Sequence, residues 1–209
     1  MSENLLHRCA LCGAVVAPES ARLVSTCGGH LESDADRWNT PFRIRGARPE
    51  DDEVLRRIAR GYWGREEVLA FGRVFSLPEE RSLVADAGGA VAGFVSHRTE
   101  GSDGLLLALA VPPLYQGLGV GSSLLSAAIH ELEKAGATTV RLTTTNDNLP
   151  ALALFQRRGF EIEDVVPGVI ARHLEERPGQ VPVGFAGIPV RDEIRLQRCL
   201  ESGTGRDAG

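Results

Sequence analysis

The stretch that most restricts this chain runs from Gly104 to Leu125. GLLLALAV (Gly104 to Val111) is a continuous apolar run closed by Pro112-Pro113, the pattern of a strand buried on both faces. Three glycines follow at 117, 119 and 121. An amphipathic helix then spans about Gly119 to Ala135, with Leu124, Leu125, Ala128, Ile129 and Leu132 on one stripe and Gly136 where a C-terminal cap belongs. A buried strand, a glycine turn and a helix in that order specify an α/β fold. They also place unpaired N–H groups at the positive end of a helix dipole, a ready anion site that glycines leave open to a phosphate.

Three phosphate-binding turns compete for this segment. A Walker loop needs Gly-Lys-Ser/Thr, and there is no lysine here; Lys134 is the sole lysine among 23 basic residues. A dinucleotide fingerprint needs a third glycine where Ser122 or Leu124 stands. The pattern Q-x-x-G-x-G is met by Gln116, Gly119 and Gly121. After the next strand, TTVRLTTTN (Thr138 to Asn146), a second signature follows: Asn148-x-x-Ala151-x-x-x-Phe155-x-x-x-Gly159-Phe160.

With these two motifs in this order, residues 42 to 164 resemble the GNAT superfamily of acyl-CoA-dependent N-acyltransferases. The resemblance implies a mixed α/β sheet and acetyl-CoA as co-substrate. Its diphosphate would lie on the amides of Gln116, Gly117, Leu118, Gly119, Val120, Gly121 and Ser122. The pantetheine arm would run along Leu109, Ala110 and Val111, where the buried strand splays from its neighbour. Asn146, Asn148, Ala151 and Phe155 complete the implied coenzyme contacts. Asn148 either bonds the pantetheine or orders the strand ends, and Ala151 is small because the coenzyme passes close.

Two departures from the family pattern stand out. The tyrosine often proposed to reprotonate the leaving thiolate is Phe155, and the glutamate many relatives carry on the buried strand is missing. The general base must come from elsewhere: Asp192 or Glu193 in the ending IPVRDEIRL, or His97, with Glu67 and His173 as further candidates. Arg191-Asp192-Glu193 reads equally as an ion-pair knot. The resemblance implies direct attack on the thioester by a primary amine of a small molecule or protein. A catalytically silent acyl-CoA sensor that recruits a protein remains the alternative.

The rest of the domain follows local pattern. FRIRGA (Phe42 to Ala47) alternates like a strand, and Pro49 to Tyr62 reads as a helix opened by acidic residues. Arg65 to Arg73 reads as a second short helix. Gly88-Gly89 marks a hairpin between residues 82 and 98. Leu149 to Arg158 reads as a helix, FEIEDVV as a strand, Arg172 to Glu176 as a helical turn, and Val190 to Leu200 as a strand that closes the sheet.

Residues 1–37 differ, with too few large apolar side chains to fold unaided. Cys9-x2-Cys12 and, fourteen residues on, Cys27-x2-His30 present four soft ligands as two knuckle-like pairs, the spacing of a structural Zn2+ ribbon. Domain boundaries are expected at 1–37 (zinc ribbon), 38–201 (transferase) and 202–209 (flexible tail). Arg8 and Arg22 stand against Glu3, Glu19, Glu32, Asp34 and Asp36, and the net charge is −5. Nucleic acid is therefore disfavoured as a ribbon partner, and a protein contact or simple stabilisation of the domain is favoured. The longest apolar stretch is too short for a bilayer and no signal peptide is legible, so a cytoplasmic location is expected.

Overall fold

The computed structural model describes residues 7–8, 15–16, 42–176 and 184–200. Two short strands, β1 (His7–Arg8) and β2 (Val15–Val16), pair antiparallel. Cys9, Cys12, Cys27 and His30, the expected metal ligands, lie outside the described residues, as does the 202–209 tail. Among the described residues no cluster of metal-ligating side chains occurs, and no helix is long and apolar enough to cross a membrane.

The main body is a seven-stranded mixed sheet. In chain order its elements are β3 (Arg43–Gly46), α1 (Asp52–Trp63), the hairpin β4 (Glu67–Ala70) and β5 (Arg73–Ser76), β6 (Arg81–Ala87), β7 (Ala90–Glu100) and β8 (Asp103–Ala110). There follow α2 (Val120–Lys134), β9 (Thr139–Thr145), α3 (Leu149–Arg157), β10 (Glu161–Val166), α4 (Val169–Glu175) and β11 (Glu193–Cys199). The strand order is β10-β11-β9-β8-β7-β6-β3, with only β8 and β9 parallel. The α2 crossover supplies the connection that parallel pair needs.

A core lies on each face of the sheet. The α2 stripe packs Leu124, Leu125 and Leu132 onto Val95, Leu106, Val140, Leu142 and Leu196. On the other face Ala59 of α1, with Val68 and Phe75 of the hairpin, covers Val84, Phe94, Leu105 and Leu107. Arg65 to Arg73, expected as a helix, forms the β4–β5 hairpin instead. Val68 and Ala70 are buried with more exposed residues between them, a period of two, and Phe71 and Gly72 both take positive φ in the turn, as a tight hairpin requires. β11 does close the sheet, but from inside: it lies between β9 and β10 rather than at an edge.

Edge strand β3 is tied to the start of α1 by one guanidinium. Arg45 donates to both oxygens of Asp51 (2.6 and 2.9 Å) and to Asp86 on β6 (2.9 Å). Asp51 also accepts the Arg48 N–H, and Asp86 the Gly89 N–H in the β6–β7 turn. These bonds favour the charged carboxylates. Arg45 holds Asp86 down to about 2 and Asp51 below its usual range. Lowered folded pKa values give stability that is complete above about pH 4 and lost as pH falls through the folded values. Thermal unfolding followed from pH 4.5 downward should show this loss in the wild type and a shallower slope in Arg45→Met, which lacks the partner.

Candidate active site

The site begins where two neighbouring strands part. β8 pairs with β9 from Asp103–Thr139 to Leu106–Leu142 and then stops, although β8 continues to Ala110 and β9 to Thr145. The cause is visible on the other side of β8. Across β7, His97 faces Leu106 and Ser96 faces Ala108, so Leu107 is one residue extra. A bulge bends its strand and increases the twist, and here it turns the end of β8 away from β9. Beyond Leu142, β9 follows β11 instead, with Thr143, Thr144 and Thr145 opposite Arg195, Ile194 and Glu193. The backbone of Leu107 to Ala110 on the β9 side thus has no partner strand. The parting expected near Leu109 starts two residues earlier.

The glycine turn lies at the open end of this split. After a 3-10 turn, Pro113–Tyr115, Gly117 and Gly119 adopt φ of +80° and +83°, and Gly119 is the N-cap of α2. The first backbone bond of the helix is Ser123 N–H to Gly119 O, so the N–H groups of Gly117, Leu118, Gly119, Val120, Gly121 and Ser122 have no backbone acceptor. A Cβ at 117 or 119 would meet nothing within 4 Å, so these glycines are required by backbone conformation and leave open space before the amides. No basic side chain occurs from Pro112 to Ser123. The turn fits a diphosphate through main-chain donors alone.

The other expected coenzyme residues shape the split. Gln116 turns its amide inward, donating to Val111 O (2.8 Å) and Tyr62 Oη (3.1 Å). Asn146 is spent on a staple: its Oδ1 accepts from Arg191 N (2.8 Å) and Asp192 N (3.0 Å), and its Nδ2 donates to Pro189 O. Asn148 caps α3, accepting the Ala151 N–H at 3.3 Å. Phe155 is buried edge-on against Phe160, with ring centroids 6.0 Å apart, and belongs to the α2-side core.

The candidate bases Asp192, Glu193 and His97 are not brought together. His97 is buried on the face covered by α2, where desolvation lowers its pKa and Glu131 opposes that shift. Glu131 lies eleven residues beyond the helix start, about 16 Å along the axis from the glycine turn. Asp192 is committed to structure, with Oδ1 accepting from Gly168 N at the start of α4 and Oδ2 facing Arg191. Glu193 is different. It is 1% exposed on β11 on the hairpin face; Arg195 Nε fixes its Oε1 at 2.7 Å, and its Oε2 is buried without a donor. An unpaired buried carboxylate oxygen is costly and asks for a ligand proton.

Tyr62, the end of the first helix in the sequence reading, reaches the mouth of the split. Its hydroxyl donates to Val111 O at 2.5 Å, and partial desolvation keeps the phenol protonated by raising its pKa. Its position two residues before the glycine cap of α1 was the available signal. The arginines and carboxylates of the outer strands, described below, were missed; Arg141, the one charge in TTVRLTTT, was their sign.

Residues 47–160 match the model of the acetyltransferase (GNAT) family. The chain belongs to that family. It is 26% identical over 141 residues to the uncharacterized protein YdhI of Bacillus subtilis, covering 67% of this chain and 87% of YdhI. It is 37% identical over 133 residues to mycothiol acetyltransferase of Clavibacter sepedonicus, covering 61% of this chain but 40% of that enzyme. A B. subtilis acetyltransferase solved in complex with CoA shares the fold at 24% identity, TM-score 0.58, over 77% of this chain and 99% of that one.

Gly119→Glu places a carboxylate before the free amides and strains a left-handed position. Calorimetry should show at least about a hundredfold loss of acetyl-CoA affinity, the equivalent of two charge-assisted hydrogen bonds, with the far-ultraviolet circular dichroism unchanged.

Proposed function

We propose that the chain transfers the acetyl group of acetyl-CoA to a primary amine by direct attack while both substrates are held. The observation that carries this reading is the conjunction of a split sheet with six free amides at its mouth. The amides of Gly117 to Ser122 bind the diphosphate. The unpaired end of β8 at Leu109 and Ala110, with the N–H of Val111 beyond it, orients the pantetheine arm and donates to the thioester oxygen as charge develops there. Bound acetyl-CoA supplies the activated acyl carbon.

Glu193 is the general base. Arg195 fixes one of its oxygens, and the free Oε2 accepts a proton from the incoming ammonium, directly or through water. Phe155 offers no proton, and a thiol pKa near about 8.5 lets the thiolate leave without one. The similarity to mycothiol acetyltransferase supports a small-molecule acceptor, with a protein amine as the second possibility. The hydroxyl-free residue at 155 favours one rival, a coenzyme-binding sensor without turnover.

Release of free thiol from acetyl-CoA over a panel of amines separates the two: binding with no release for any acceptor defeats the transferase. In the active enzyme, Glu193→Gln keeps the Arg195 bond. It should lower kcat by about a hundredfold or more, with acetyl-CoA affinity unchanged. An unaltered kcat removes Glu193 from the chemistry.

For the N-terminal segment, the proposal is a structural Zn2+ held by Cys9, Cys12, Cys27 and His30, serving stability or contact with a protein. Its support is the ligand spacing, together with the short β1–β2 ladder on either side of the first pair in sequence. Metal analysis of purified protein should find about one equivalent of zinc, released in Cys9→Ser.

A further inference from the structure

On the hairpin face lies a basin of about 500 Å³ that neither motif describes. It starts at the closed end of the split: Leu105 and Arg141, both in its wall, face each other one step before the last β8–β9 pair, and Arg195 stands opposite Thr143, the first β9 residue past it. The hairpin forms the opposite wall with Phe71 and Arg73. A molecule in the basin therefore sits on the other side of the split apex from the glycine turn.

The charges of the wall are unequal. Arg141 is shared between Asp103 and Glu163, and Arg195 between Asp164 and the buried Glu193, while Glu100 pairs with Arg73 and, at 3.7 Å, with Arg98 from outside the wall. Each arginine is already engaged, and carboxylates outnumber them. A carboxylate on the ligand would find its cations taken and a net negative wall. An ammonium would find one more carboxylate than guanidinium in the wall. Independently of that count, Glu193 Oε2 is buried with no donor, and its other oxygen is bonded to Arg195 of the wall.

We propose that this basin is the acceptor pocket and that it selects small amines bearing at least two positive charges, one ammonium presented at the split and the second held by the outer carboxylates. The assignment of the pocket to an acceptor rests on the acetyl-transfer reading; the selection for a dication rests on the wall. The balance of the step is ordinary. The ammonium gives one proton to Glu193, and the amine nitrogen forms the C–N bond as the C–S bond breaks. The nitrogen's second proton and the thiolate equilibrate with solvent.

Three probes of equal chain length test it on the whole protein: 1,4-diaminobutane, n-butylamine and 4-aminobutanoate. By calorimetry with CoA present, the diamine should bind at least about tenfold more tightly than butylamine. 4-Aminobutanoate should bind most weakly. The diamine advantage should shrink as salt is raised, and the double variant Glu163→Gln/Asp164→Asn should erase it while CoA affinity holds. Equal binding of the three probes, or an advantage indifferent to both salt and the variant, overturns the proposal. Diamine-selective binding with no thiol release preserves the basin's selectivity and defeats the transfer reading instead, so the two failures are distinct.

Discussion

Interior strands rarely leave backbone groups unpaired, because each buried N–H or C=O without a partner costs roughly 1 to 3 kcal/mol. β8 does so from Leu107 onward, and the molecule holds that arrangement from both sides. On one side Tyr62 and Gln116 both donate to Val111 O, tying the strand end to α1 and to the glycine turn. On the other, Asn146 clips the end of β9 to residues 189–192 and so commits β9 to β11. The opening is thus a wedge with two anchored walls, and an extended amide-bearing chain is the ligand whose shape and hydrogen bonding match it.

The two ends of that wedge have opposite polarity. The glycine turn attracts anions through amides and the α2 dipole, with no cationic side chain contributing. The basin on the hairpin face carries four carboxylates against three arginines. In the proposed reaction an anionic coenzyme and a cationic amine meet at the split apex without competing for either end. A protein of net charge −5 can hold a diphosphate because the attraction is local and fixed in the backbone.

Much of this was legible in the sequence where pattern and chemistry agreed. The apolar run of β8 and the stripe of α2 each have one physical reading, and the structure bears it out, with Gly117 and Gly119 at positive φ in the turn between them. The 65–73 segment misled because four residues of alternation are too short to outweigh charged, helix-compatible neighbours, and a phenylalanine at positive φ is no obvious turn residue. Asp192 and Glu193 are adjacent and alike on paper. Only the pleat of β11 and the start of α4 separate a carboxylate used as a cap from one buried with a free oxygen. The Leu107 bulge carries no sequence mark, since an extra leucine among leucines leaves the apolar run intact.

The position of β11 also bears on how the chain comes together. β9 and β10 precede it in synthesis, yet no strand pairing joins them to each other; in the sheet they are linked through Glu193–Cys199. A nascent chain that has completed the glycine turn and both motifs still carries a sheet margin at Thr139–Thr145 whose backbone groups on that edge await Glu193–Cys199. Maturation of the wedge is therefore a late event, gated by the arrival of a strand some thirty residues downstream of the last motif.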